Sequence, residues 1–341
     1  MPSQVIFLVA ILIYILSSVQ SDSLLFRQGY IKFAKYGKRF LYFNVEHIDN
    51  KLLNDNKRLI LVKTKSLTVL HSEAVRNLTI LQDIIMAKCN IRKVENNAFF
   101  NLPNLTSIHL QDNHLREIKQ GVFNGLPIKI LSLQRNIIKK IDSHAFDDMP
   151  NLYKIKMNSN RLKEWDSNWF QNSPKLTELY FRRNKLNYLP PYSFANIEGS
   201  HVLNGNLVVD TKIFLSRNKL SKITPASFHN LKKISQLYLD RNNISEIPDE
   251  AFRDLEEIDL IYLARNKIHE IKEKAFPKVK KIGFLDLSGN LLKCLPYKLV
   301  SIANQTNLEQ NNGTCQCVSN YEMRLLQENK SNEITYDHCN I

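Results

Sequence analysis

Residues 237–255 read LYLDRNNISEIPDEAFRDL. Leu237 and Leu239 stand two apart, Asn242 follows, and Ile244, Ile247, Phe252 and Leu255 complete an apolar series with one polar member. Counted from the asparagine, and with Ile234 upstream, the apolar residues fall at −8, −5, −3, +2, +5, +10 and +13. The same frame fits around Asn113, Asn136, Asn160, Asn184, Asn218, Asn266 and Asn290, around Cys89, and in degenerate form around Lys65. Successive anchors are 24, 24, 23, 24, 24, 34, 24, 24 and 24 residues apart, so ten turns share one period. Such a period marks a solenoid, in which each unit buries its apolar face against its neighbours.

The pattern resembles the leucine-rich repeat, LxxLxLxxNxLxxIxxxxFxxL, in the longer form typical of extracellular members, over residues 57–297. The resemblance implies an α/β-type solenoid. It is a horseshoe with a parallel β-sheet on its concave side and an irregular or short-helical convex side. Each LxL segment alternates like a short strand, with the leucines pointing in and the residue between them pointing out. The resemblance also implies that each ladder asparagine is buried and bonded to backbone groups of its own and the neighbouring turn. A buried amide without partners costs roughly 1–3 kcal/mol. Cys89 substitutes at this position and reads as a buried free thiol. The +10 column, Phe99, Phe123, Phe146, Phe170, Phe194, Phe228, Phe252 and Phe276, forms an aromatic spine of the core. The Asn184–Asn218 interval carries a ten-residue insertion near 198–209, within IEGSHVLNGNLVVDTK. It reads as a surface excursion or as a binding loop, with Asn204-Gly205 as a turn former.

Residues 1–21, MPSQVIFLVAILIYILSSVQS, hold an apolar run without charge and read as a secretory signal peptide. No later apolar segment is long enough to span a bilayer, so the expectation is a secreted protein without stable membrane insertion after cleavage. Six glycosylation sequons fit that route: Asn77, Asn104, Asn243, Asn304, Asn312 and Asn329. Asn243 adjoins the ladder, which raises the question of whether it is accessible. Residues 22–56 form an N-terminal cap region without cysteines, expected to add a strand or two. Residues 298–341 resemble the cysteine-bearing C-terminal cap of the family. Cys294, Cys315, Cys317 and Cys339 are expected to form disulfides. Three pairings are open, and the preferred one joins Cys317 to Cys294 and Cys315 to Cys339.

The chain carries a formal charge of +14, which favours anionic partners outside the cell. Lys93, Lys139, Lys140, Lys163 and Lys222 fall in the turn after the ladder, and Arg27, Lys32, Lys35, Lys38 and Arg39 form a denser run. The residue between the strand leucines reads Ile85, His109, Ser132, Lys156, Tyr180, Phe214, Tyr238, Tyr262 and Asp286 along the concave face. Four consecutive turns thus present an aromatic ring, and the same four present Arg183, Arg217, Arg241 and Arg265 just before the ladder. These residue types dominate protein-binding hot spots, and arginine can stack on a tyrosine face. Tyrosine also suits any strand, so ordinary sheet composition is the competing explanation.

No HExxH, GxSxG, phosphate loop or nucleophile–base spacing occurs, and Glu178, Asp240 and Asp286 form no evident acid/base pair. His109 and His114 lack a third metal ligand. The sequence therefore reads as a non-enzyme without catalytic residues, metal or cofactor. The expected function is recognition of an extracellular protein through the concave face, of adhesion, recognition or innate-immune type, including a soluble decoy. The alternatives are a matrix component binding sulfated glycans and an enzyme inhibitor. Nucleic acid is not expected, since no recognised nucleic-acid module is present. Oligomeric state is open.

Overall fold

The structure, a computed structural model, describes residues 26–33, 39–45, 48, 58–62, 67–197, 200–203, 206–209, 211–313 and 315–337. The signal segment 1–21, Lys65, the Asn204-Gly205 turn, the Cys315 thiol, Cys339 and the side chains of the 27–39 basic run lie outside that description, and so does the Cys315–Cys339 pairing.

A 14-stranded sheet runs the length of the molecule in chain order, apart from an exchange of its first two strands. Phe26–Phe33 pairs antiparallel with Arg39–Val45 on one side and Arg58–Val62 on the other. From Arg58–Val62 onward every strand pairs parallel with the next, through Asp83–Ile85, Ser107–His109, Ile130–Ser132, Lys154–Lys156, Glu178–Tyr180 and Lys212–Phe214 to Glu333–Thr335. The antiparallel strands cover the first turn without cysteines. Two-residue parallel pairs line another side of the coil, such as Glu117–Ile118 with Lys140–Ile141 and Tyr188–Leu189 with Lys222–Ile223. Helix is confined to Tyr297–Ile302 and Cys315–Gln327 among the described residues.

The frame residues build the core for the reason their period suggests: each leucine or isoleucine of the frame is withdrawn from water by the turns on either side. Leu237, Leu239, Ile244, Ile247, Phe252 and Leu255 are all fully buried. The asparagine ladder closes the polar side of this wall. Asn242 Nδ2 donates to the carbonyls of Leu215 (3.1 Å) and Leu239 (2.9 Å), and its Oδ1 accepts from the backbone N–H groups of Asn218 and Leu220 (both 3.1 Å). Asn113 does the same with Met86, Leu110, Cys89 and Ile91. Cys89 is buried at its ladder position, and its thiol donates to the Ala87 carbonyl at 3.4 Å. The ladder runs one rung past Asn290: Asn311 Nδ2 donates to Leu287 and Leu308 carbonyls at 2.9 Å, and its Oδ1 accepts from Leu292 N–H at 3.1 Å.

The phenylalanine spine is continuous from Phe99 to Phe170 and from Phe194 to Phe276, with ring centroids 4.5–6.4 Å apart. Between the two runs Trp165 is wedged, 6.4 Å from Phe170 and 4.9 Å from Phe194, with Trp169 beside it. Trp165 occupies the +5 slot that other turns fill with a smaller aliphatic residue, so its indole reaches the spine. Its Nε1–H is satisfied by the Ser193 carbonyl at 2.8 Å.

The insertion forms an antiparallel hairpin, Ser200–Leu203 with Asn206–Val209. The coil continues through it, because Tyr180 pairs with Phe214 and Phe214 with Tyr238 in unbroken register. At the C-terminal end a Cys294–Cys317 disulfide ties the last repeat to helix Cys315–Gln327. Val318, Tyr321 and Leu325 of that helix are buried. The Tyr321 hydroxyl donates to the Leu295 carbonyl (2.9 Å) and accepts from Leu295 N–H (2.6 Å), so the helix is both packed and bonded onto the open end.

Candidate binding surface

In-register parallel pairing puts equivalent residues of successive turns side by side, about 4.8 Å apart. Lys156, Tyr180, Phe214, Tyr238, Tyr262 and Asp286 are therefore consecutive partners on the concave face. The four aromatic rings stack face to face. Their centroids are 4.5, 4.8 and 4.4 Å apart and their planes 8°, 16° and 10° off parallel. All four are half-buried. Asp286 ends this column, but Phe284, two residues earlier on the same face, meets Tyr262 edge-on at 5.6 Å and 63°. Leu260 is the strand partner of Phe284, and both are half-buried. At the other end the Tyr180 hydroxyl donates to Glu178 Oε2 (2.8 Å), and Lys154 neutralises that carboxylate at 2.8 Å.

The chain leaves each strand through a residue in the left-handed region. Arg183, Arg217, Arg241 and Arg265 have φ of 55°, 57°, 56° and 54°, as do their counterparts Asp112 (58°) and Arg135 (54°). Only the last such turn uses the residue best suited to that region, Gly289 at 64°. A side chain is thus retained at a strained backbone position in turn after turn.

The arginines of this column fall into two groups. Arg135 is held bidentate by Asp112 of the preceding turn, at 2.5 and 2.7 Å, and this bond lowers the Asp112 pKa and raises that of Arg135. By contrast, no carboxylate lies within 4 Å of Arg183, Arg217 or Arg265 among the described residues, and Arg241 only reaches Asp240 at 3.9 Å. The Arg217 pKa is pushed down, first by the charge of Arg241, then by desolvation, then by Arg183 and Arg182. These four arginines are exposed. None lies over a ring of the stack. The rings take up one another's faces, so the expected arginine–tyrosine stacking does not form. Burial, and then the neighbouring Tyr238, raise the Tyr262 pKa.

Other sequence candidates fall elsewhere. His109 Nε2 meets Ser107 Oγ at 3.1 Å, and that hydroxyl donates to Asp83 at 2.5 Å. His114 is exposed, and the described residues hold no cluster of three or more potential metal ligands. Asp286 binds the Ser288 N–H (3.1 Å) and hydroxyl (2.7 Å). All six sequon asparagines are exposed, including Asn243 beside the ladder. Several turn lysines face acids: Lys93 with Glu95 (2.8 Å), Lys140 with Asp142 (3.2 Å). A cleft of about 870 Å³ lies off the concave face, between 139–144 and 162–169, with Trp165 and Trp169 in its lining. Both indoles are almost fully buried and serve the core. Sequence reasoning missed Leu260, Phe284 and Arg182. The period-2 alternation of a strand, carried two residues further upstream, would have found the first two.

Residues 68–201 match, in six copies, the family described as BspA type leucine rich repeat region. Residues 211–244 and 234–292 match the leucine rich repeat family. The matches part at 201 and resume at 211, around the second strand of the hairpin. No curated protein matches the sequence. Among solved structures, the chain is similar to one in an octameric complex of Latrophilin 3, Unc5D and FLRT2 (LRR). The identity is 18% over 84% of this chain and 91% of that one, with a TM-score of 0.51. It is also similar to one in the Toll–Spatzle complex from Drosophila, at 18% identity over 70% of this chain and 40% of that one, TM-score 0.54. Likeness at this identity establishes the fold.

Proposed function

We propose a binding function from the premise that this chain belongs to the leucine-rich repeat family. The protein is a secreted scaffold, not a catalyst, and its concave face holds an extracellular protein ligand. The observation that carries this reading is the half-buried stack Tyr180–Phe214–Tyr238–Tyr262, extended by Phe284, beside Arg183, Arg217 and Arg265, which have no carboxylate within 4 Å among the described residues. Large rings held against one another lose little freedom on binding, and arginine is enriched among the residues that dominate binding energy. The similar chains come from complexes that contain Latrophilin 3 and Unc5D in one case and Spatzle in the other, which supports protein recognition by analogy of fold. Secretion is supported by the apolar N-terminal run, the six exposed sequons and the Cys294–Cys317 disulfide. A recognition, adhesion or innate-immune role, including that of a decoy, fits a chain of this kind.

The test compares the wild type with a Tyr180→Ala, Tyr238→Ala, Tyr262→Ala variant in capture from extracellular fluid at low and high salt. The expected result is a protein retained by the wild type at high salt and lost by the variant. If both retain the same material at low salt and release it together, screening governs binding, and a basic surface holding an anionic glycan replaces this reading. That alternative loses two of its five turn lysines, Lys93 and Lys140, to pairing with acids.

A further inference from the structure

A concave binding face, as proposed above, leaves the chemistry of the partner open, and any statement about that partner rests on the face being the binding surface. The ring geometry narrows the choice. A face-to-face stack at 4.4–4.8 Å uses the ring faces internally and presents ring edges to the solvent. The edge is the positive end of an aromatic quadrupole, so it attracts acceptors and repels cations. A nucleobase binds aromatic side chains by lying on a face. To do so here it would have to pry the stack apart. The stack therefore disfavours both cationic and base-stacking partners.

The arginines point the same way. Among the described residues, Arg183, Arg217 and Arg265 have no counterpart of the carboxylate that Asp112 supplies to Arg135 in the same column, although every turn offers the same backbone position. Like charges are thus kept side by side, and the pKa of Arg217 falls in response. The same face also carries Phe214 within the stack and, on the side away from the arginines, Leu260 and Phe284, whose side chains have no polar atoms to offer a sugar. We propose that the concave face from Tyr180 to Phe284 binds a carboxylate-rich polypeptide segment. Its acidic side chains meet Arg183, Arg217, Arg241 and Arg265, and its apolar side chains lie against Phe214, Leu260 and Phe284. A sulfated glycan would satisfy the arginines but leave the apolar strip wet.

The experiment measures binding of the full-length secreted protein to four labelled probes by fluorescence anisotropy: a glutamate–tyrosine copolymer, polyglutamate, heparin and oligo(dT). The variants are Arg183→Gln/Arg217→Gln/Arg265→Gln and, as an equal change of charge elsewhere, Lys139→Gln/Lys163→Gln/Lys222→Gln. Circular dichroism confirms that both fold. The expected result is roughly tenfold tighter binding of the copolymer than of any other probe. The arginine variant should abolish that preference and the lysine variant should leave it intact. Tighter binding of heparin or oligo(dT) than of the copolymer overturns the proposal, as does an equal loss in both variants. The arginine variant is also tested on any protein captured through the tyrosines. If capture is lost with the tyrosines but indifferent to the arginines, the binding surface stands and only the acidic partner is wrong. Capture indifferent to both removes both readings.

Discussion

Replacing Asn242 by alanine removes five hydrogen bonds, four of them at 3.1 Å or less, in a wall of the core that water barely reaches. The N–H groups of Asn218 and Leu220 lose their partner at once, while the carbonyls of Leu215 and Leu239 each lose one of two donors and keep the amides of Asn218 and Asn266. At a net contribution of about 1 kcal/mol per bond, and with a small space left for water to re-bond one of the groups, the loss is about 3–4 kcal/mol. Asn311 makes three ladder bonds and is half-buried, so its alanine variant should lose about 2 kcal/mol by the same reasoning. Asn243→Ala, at an exposed position next door, should cost under about 0.5 kcal/mol. The assay is urea unfolding followed by the fluorescence of the two buried tryptophans, Trp165 and Trp169, the only ones in the chain. Both sit three turns before Asn242, so the signal reports whether a local loss spreads along the coil. Leu239→Ala is the packing control, at about 2–5 kcal/mol. If Asn242→Ala shifts the midpoint no more than Asn243→Ala while Leu239→Ala behaves as expected, the ladder adds no stability and the reasoning fails.

Other perturbations test the geometry more locally. A Cβ on Gly283 would run into the Asp259 backbone carbonyl, so Gly283→Ala should cost about 1–3 kcal/mol in the same unfolding assay. Arg265→Gly relieves the left-handed φ of 54° as Gly289 does one turn later; it should raise stability by about 0.5–1 kcal/mol while weakening retention of an acidic probe, read as a higher melting temperature with a higher Kd. The Asp112 carboxyl is held below its ordinary range by its hydrogen bonds to Arg135. That contribution is therefore complete above the unfolded carboxylate pKa of about 4 and fades as pH falls through the lowered value. Because Arg135 is 57% exposed, the effect is at most about 1 kcal/mol, and Asp112→Asn should flatten the acid limb of stability against pH by that amount.

The repeat was legible because burial acts on every turn alike. Residues such as Leu237, Ile247 and Phe252 recur wherever a neighbour must be packed, and seven such positions leave little freedom to misread the register. Asn311 was hidden by its own neighbourhood. Its unit comes 21 residues after Asn290, and Thr306, 1% exposed, takes the place of a strand leucine. The wedge of Trp165 into the spine depends on ring size in three dimensions, which a table of apolar positions does not carry. At the candidate surface, the columns of Tyr180 and Arg183 followed from alternation alone. What could not be read was the use of the ring faces against one another and the partner that Arg135 has and Arg217 lacks. Both depend on how neighbouring turns align side chains, not on which residues they contain.

The hairpin between Ser200 and Val209 has a practical consequence. It enters the coil at the link into strand Lys212–Phe214, and the strands on both sides keep their partners. Lengthening one turn from 24 to 34 residues costs only about 0.3 kcal/mol in closure entropy. This link is therefore a natural display position. Foreign peptides exchanged for the hairpin tip should be carried without disturbing the scaffold.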